Sequence, residues 1–146
     1  MEETKTFKYA LPNGCPESLI KAKGLKEGEY GVEYFRISKN SPPNEEDFIP
    51  LFFLARCSNK VNNMKKNNDC SGLCQMASAS ILKTEDDAKR LIGKFKKMGK
   101  YIFCGIITKN DGLILDTPSN DSPSHCSFFV YTDVNENEIF KQGVYP

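Results

Sequence analysis

No apolar run in this chain approaches the roughly 20 residues a membrane-spanning helix needs, so no membrane helix is expected. The opening stretch MEETKTFKYALPNG has no basic segment followed by an apolar one, which speaks against a secretory signal and for a cytoplasmic location. The net charge is only +1. That creates no field strong enough to imply nucleic acid or an anionic membrane as a partner. There is no internal repeat and no domain-scale linker, so the 146 residues read as one domain, long enough to bury a core. Histidine occurs once, as His125, and any role for an imidazole falls on that residue.

What is present is the composition of an ordinary folded protein, 39% hydrophobic and 27% charged, which argues against global disorder. Six cysteines stand at positions 15, 57, 70, 74, 104 and 126. Without an export signal they are expected as reduced thiols.

The most legible region is QMASASILKTEDDAKRLIGKFKKMGKYIFCGII. Ser78 to Leu82 predicts a strand. Thr84 is a good N-cap, and Glu85, Asp86 and Asp87 complement the positive helix N-terminus. Ala88, Leu91, Ile92, Phe95 and Met98 fall at helical spacing, predicting an amphipathic helix over 85–98 that packs on a sheet. YIFCGII follows as a buried strand. TKNDG then signals a hairpin centred on Asn110, Asp111 and Gly112, with LILD returning. SFFVYT predicts a further strand, and so does the segment 30–38, YGVEYFRIS. Pro16 marks the start of a short helix ending near Gly24. Residues 1–8 are expected to be loose, and the Asn/Lys-rich segment 57–72 a mobile loop. The order predicts an α+β domain with a mixed or mostly antiparallel sheet, one main helix and short accessory helices. Phe35, Ile81, Phe103, Ile106, Phe128 and Val130 are core candidates.

Three constellations bear on chemistry. His125 and Cys126 are adjacent, but neighbours in a strand point to opposite faces. A nucleophile and its base need hydrogen-bond reach, so Cys126 reads better as a small buried hydrophobe. Cys70 and Cys74, with His125 and Cys126, supply four ligand types suited to zinc; the spacing is loose, and two reduced thiols in a loop are the plainer reading. Lys89, Arg90, Lys96, Lys97 and Lys100 oppose the apolar stripe of the predicted helix and read as a solvated face rather than a nucleic-acid surface. Arg36 shares a strand face with Val32 and Tyr34. It reads as a snorkelling edge residue or as a guanidinium that binds phosphate or carboxylate in a cleft.

Arg36 in YFRIS, Ser78 and Ser80 in ASASI, and Glu136 and Glu138 in NENE stand in order along the chain. This arrangement resembles the arginine, Ser-x-Ser and Glu-x-Glu pattern of ADP-ribosyltransferases. The resemblance implies that Arg36 binds NAD, that Ser78 or Ser80 lines the nicotinamide pocket and that His125 lies at its rim. It implies that Glu138 is catalytic, assisted by Glu136. A cationic transition state wants a fixed carboxylate, and a pyrophosphate wants a guanidinium. The pieces LPNGCP, PPNEEDF, GIITKNDGLI and PSH together are similar to small bacterial proteins of accessory gene regions, a likeness that implies no particular activity.

The expectation is therefore a small binding or interaction protein acting through a surface or cleft, with a protein partner and no required cofactor. An NAD-using ADP-ribosyltransferase-like enzyme is the alternative, and a zinc-stabilised domain the second.

Overall fold

The apolar run YIFCGI and the alternating segment EYFRIS fold as neighbouring strands of one sheet in the computed structural model, which describes residues 6–12, 15, 26–28 and 32–145. In chain order the elements are β1 (Lys26–Glu27), β2 (Glu33–Ser38), α1 (Ser58–Lys66), α2 (Cys70–Met76), β3 (Ala79–Leu82) and α3 (Glu85–Lys94). They continue with β4 (Tyr101–Ile106), β5 (Gly112–Asp116), β6 (His125–Val130), α4 (Glu136–Ile139) and β7 (Gln142–Tyr145). Three short 3-10 turns, Glu45–Phe48, Leu51–Phe53 and Ala55–Cys57, carry the chain from β2 to α1. The fold is α+β, and the seven described strands pair antiparallel in the order β1-β5-β6-β3-β2-β4-β7.

The sheet is nearly divided. β2 pairs with β4 along its whole length, from Glu33 opposite Ile106 to Ser38 opposite Tyr101. It meets β3 only where Phe35 faces Leu82. One half is therefore β1-β5-β6-β3 and the other β2-β4-β7. Side chains of both halves meet in the larger core, where Tyr34 and Phe103 join Ile81, Ile114, Phe128 and Val130. Each such side chain contributes roughly 1.5–3 kcal/mol by leaving water.

α3 covers the junction from the other face. Thr84 caps it by accepting from the Asp87 amide at 3.2 Å. Ala88 and Leu91 then pack on Ile37, Leu82 and Ile102. Asp87 is buried and accepts from the Ser124 amide at 2.9 Å, tying the helix to the segment before β6.

Several expectations change. The helix expected over 85–98 ends at Lys94, because Phe95 leaves helical dihedrals at φ −124°, ψ 79°. Gly99 must then lie against β2, where an added Cβ would come within 2.6 Å of the Ser38 carbonyl oxygen. No side chain fits there, so the chain turns in before another helical turn can form. As a result Phe95 and Met98, expected in the packed stripe, are 40% and 44% exposed. The predicted hairpin at 110–112 does not form. β4 and β5 lie in different halves, and the turn carries the chain from one half to the other. Ile106, expected in the core, is exposed at the last position of β4.

The segment 57–72, expected as a loop, forms α1 and the start of α2. Its polar composition hid a small apolar face: Val61 and Met64 pack with Leu73, Met76 and Phe52. Asp69 caps α2 through the Gly72 amide at 2.9 Å. Cys74, expected as a reduced thiol, is disulfide-bonded to Cys15, and both are buried with Phe129. Of residues 1–8, expected to be loose, Phe7 bridges Tyr131 and the Lys8 amide donates to the Val130 carbonyl at 2.9 Å. The expected helix from Pro16 to Gly24 and the first residues of the strand 30–38 lie outside the described residues. Among the described residues no helix is long and apolar enough to cross a membrane.

Candidate functional site

Beyond the Phe35–Leu82 pair, β2 and β3 diverge, and the backbone groups facing the gap need partners other than each other. Arg36 supplies one of them. Its Nη1 donates to the Ser80 carbonyl at 2.6 Å, and its Nη2 donates to the Asp47 carbonyl in the first 3-10 turn. The guanidinium lies over the Phe48 ring at 5.6 Å. Its Nε is buried with no hydrogen-bond partner. Among the described residues no carboxylate forms an ion pair with it. Burial pushes the guanidinium down from its ordinary value, opposed at longer range by the charges of Asp47 and Glu136.

The Asp47 carboxylate is turned elsewhere. It accepts from the Lys39 and Asn44 amides, each at 2.9 Å, and from the Asn40 side chain at 3.1 Å. Burial pushes this carboxyl up, but the hydrogen bonds outweigh it and hold the group below its usual range.

The gap opens into a cleft of about 840 Å³. Leu82 and Leu91, with Ile49 and Leu54 from the 3-10 segment, line it with apolar surface. Phe95, Met98 and Leu51 stand at it with large exposed apolar surfaces. Lys39, Arg56 and Lys97 also line it and bring positive charge. Asp121, another lining residue, is ion-paired with Lys94.

His125 opens β6 opposite Leu82 and lines the same cleft. Its Nδ1 is 3.0 Å from the Thr117 carbonyl and 2.7 Å from the Thr117 hydroxyl, which in turn is 3.0 Å from the Ser127 hydroxyl. A carbonyl can only accept, so the proton is assigned to Nδ1, and Nε2 carries the lone pair. Burial lowers the pKa of this imidazole, with Arg36 adding to the effect and the Thr117 carbonyl opposing it. Arg36 and His125 thus offer a fixed cation and a neutral acceptor within one cleft.

Of the residues singled out from sequence, Arg36, Ser78, Ser80 and His125 all line this cleft. Ser78 is buried, with its hydroxyl donating to the Gln75 carbonyl at 2.7 Å. Ser80 is exposed. Glu136 and Glu138 do not line the cleft. Glu136 is 2% exposed and bound to Lys8 Nζ at 2.6 Å and the Tyr9 hydroxyl at 3.2 Å. Glu138 is exposed beside a separate hollow at the Glu33 and Ile106 end of the sheet. The turn NENE becomes α4, which starts at Glu136 and places the two glutamates two positions apart on a helix rather than on one strand face.

Cys126 points away from His125, into the core. Its thiol donates to Asp116 at 3.3 Å, and burial together with that carboxylate pushes it up to about 12. With Cys74 bonded to Cys15, the four residues weighed as zinc ligands are not assembled. Among the described residues no group of three or more histidine, cysteine or acidic side chains is placed to hold a metal ion.

The cleft's apolar rim was not legible from the sequence, since Phe95 and Met98 continue the helical stripe and read as core. Its second basic tier, Lys39 and Arg56, lies in turn-rich sequence with no motif. No protein-family model matches this chain, and no curated protein and no solved structure matches it either.

Proposed function

We propose that this chain is a binding protein that works through the cleft at the β2–β3 split. One observation carries the reading: Arg36, Ser78, Ser80 and His125 line one cleft in which Phe95, Met98 and Leu51 are left exposed. A cavity of about 840 Å³ has the size of a small-ligand site, apolar walls with a few convergent polar groups. A protein partner that inserts a side chain or chain end into it falls within the same reading. The test is a ¹⁵N-correlated NMR titration with a set of small anions, NAD and short peptides. Binding predicts shifts clustered on Ser80, Leu91, Phe95 and His125; shifts confined to other surfaces sink the assignment.

The second reading is an ADP-ribosyltransferase-like enzyme using NAD. It is favoured by the fact that the four residues it needs for cofactor binding share the cleft. The position of Glu136 and Glu138 outside the cleft weighs against it. Calorimetry with NAD on the wild type and on Arg36→Ala, the variant checked for folding, decides between the two. The reading requires binding that the variant loses. A cytoplasmic location remains the expectation from the sequence, with the Cys15–Cys74 disulfide weighing against it, because cytosolic thiols are kept reduced.

A further inference from the structure

Arg36 already uses two of its five N–H groups on backbone carbonyls. Neutral carbonyls orient a guanidinium but do not cancel its charge, and even a half-buried cation without an adjacent anion carries a desolvation cost. Asp47, the acidic residue whose charge acts most on Arg36, spends its carboxylate on Lys39, Asn40 and Asn44. Asp121 spends its own on Lys94. Glu46, the third acidic residue lining the cleft, forms no ion pair with Arg36 either, so the cleft has a cation at the split that its own acidic residues do not pair with directly. The same cleft is lined by Phe95, Met98 and Leu51, each 39% to 44% exposed, surface a ligand's hydrocarbon would cover.

We propose that the cleft binds an amphipathic carboxylate, with its head on Arg36 and its apolar body against Phe95, Met98 and Leu51; this rests on the cleft being the working site. The planar guanidinium matches a carboxylate better than a point charge would. A single cation at the split suits a single negative charge. Lys39, Arg56 and Lys97 add attraction over roughly 10 Å at moderate salt.

The test uses the full chain and decanoate below its micelle concentration, followed by NMR shifts and calorimetry. Decanol supplies the same tail without charge, inorganic phosphate the charge without a tail, and NAD the dinucleotide. The expected result is decanoate binding with shifts at Ser80, His125 and Leu91, at least tenfold tighter than decanol. Arg36→Met, which keeps the stem and removes the charge, is expected to lose at least tenfold. If that variant does not fold, Met98→Glu, at an exposed position, is expected to weaken decanoate at least tenfold through like-charge repulsion. Equal binding of decanoate and decanol overturns the carboxylate head while leaving the cleft as the site. So does tighter binding of phosphate or NAD than of decanoate. Decanoate shifts away from the cleft, or no shift in the cleft with any probe, overturn both this inference and the cleft as the working site.

Discussion

A guanidinium on a strand flanked by apolar residues must find acceptors, and Arg36 finds them only because β2 and β3 separate beside it. His125 is half-buried at the start of β6, and its Nδ1 proton is held on Thr117. Burial outweighs that hydrogen bond, which favours the charged ring, and holds the His125 pKa below the ordinary 6.5. The unfolded chain binds this proton more readily, so stability from His125 is fully present above about pH 6.5 and is lost as the pH falls through the folded value. An NMR titration of the His125 ring protons is expected to give a midpoint below 6.5; a midpoint above it contradicts the burial seen here. The Lys8–Glu136 pair is the second residue-scale test. Lys8→Met leaves a buried carboxylate with only Tyr9 as partner. The expected loss is about 3 kcal/mol in urea unfolding, with part of it recovered in the Lys8→Met, Glu136→Gln double variant.

At the scale of elements, α3 shows how far local signals carry. Its start was legible residue by residue, from the Thr84 cap to the acidic first turn. Its end was not, because the stop comes from Gly99 meeting the Ser38 backbone 61 residues away in sequence rather than from a local breaker. Two substitutions test the helix itself. Gly93 lies within α3, and a Cβ added there meets nothing within 4 Å. Gly93→Ala is therefore expected to stabilise by about 0.5–1 kcal/mol, read as a rise in the thermal midpoint. Thr84→Ala removes the cap and is expected to cost about 1 kcal/mol. α1 and α2 were illegible for the opposite reason. Their apolar residues are few, and only the joint cluster of Val61, Leu73, Met76 and Phe52 makes a face worth burying.

For the whole molecule the controlling facts are the split sheet and the disulfide. Cys15 and Cys74 close a loop with a sequence separation of 59. In the chain-entropy account, removing that cross-link lowers stability by about 4 kcal/mol. Reductant is therefore expected to shift the urea midpoint strongly downward, and Cys15→Ala with Cys74→Ala to unfold at the same reduced midpoint with or without reductant. An unchanged midpoint on reduction removes the disulfide from the account of stability.

By itself the sequence determined the α+β class, the positions of β2, β3, β4 and β6 to within a few residues, the start of α3, and the inward direction of Cys126. All of these follow from side-chain period and local capping, which act over one or two turns of chain. It also marked Arg36 as a charge on an apolar strand face, leaving open whether it snorkels at an edge or sits in a cleft. Only the tertiary structure decided that β4 and β5 part company rather than form a hairpin, and that β2 and β3 touch at one residue pair. The same holds for Cys15 bonding to Cys74, and for Arg36 and His125 sharing a cleft that leaves Glu136 and Glu138 outside. The physical reason is the same throughout. Alternation says which face a residue takes, but the choice of neighbouring strand, thiol or cleft is settled by long-range packing of the two half-sheets, which no local pattern encodes.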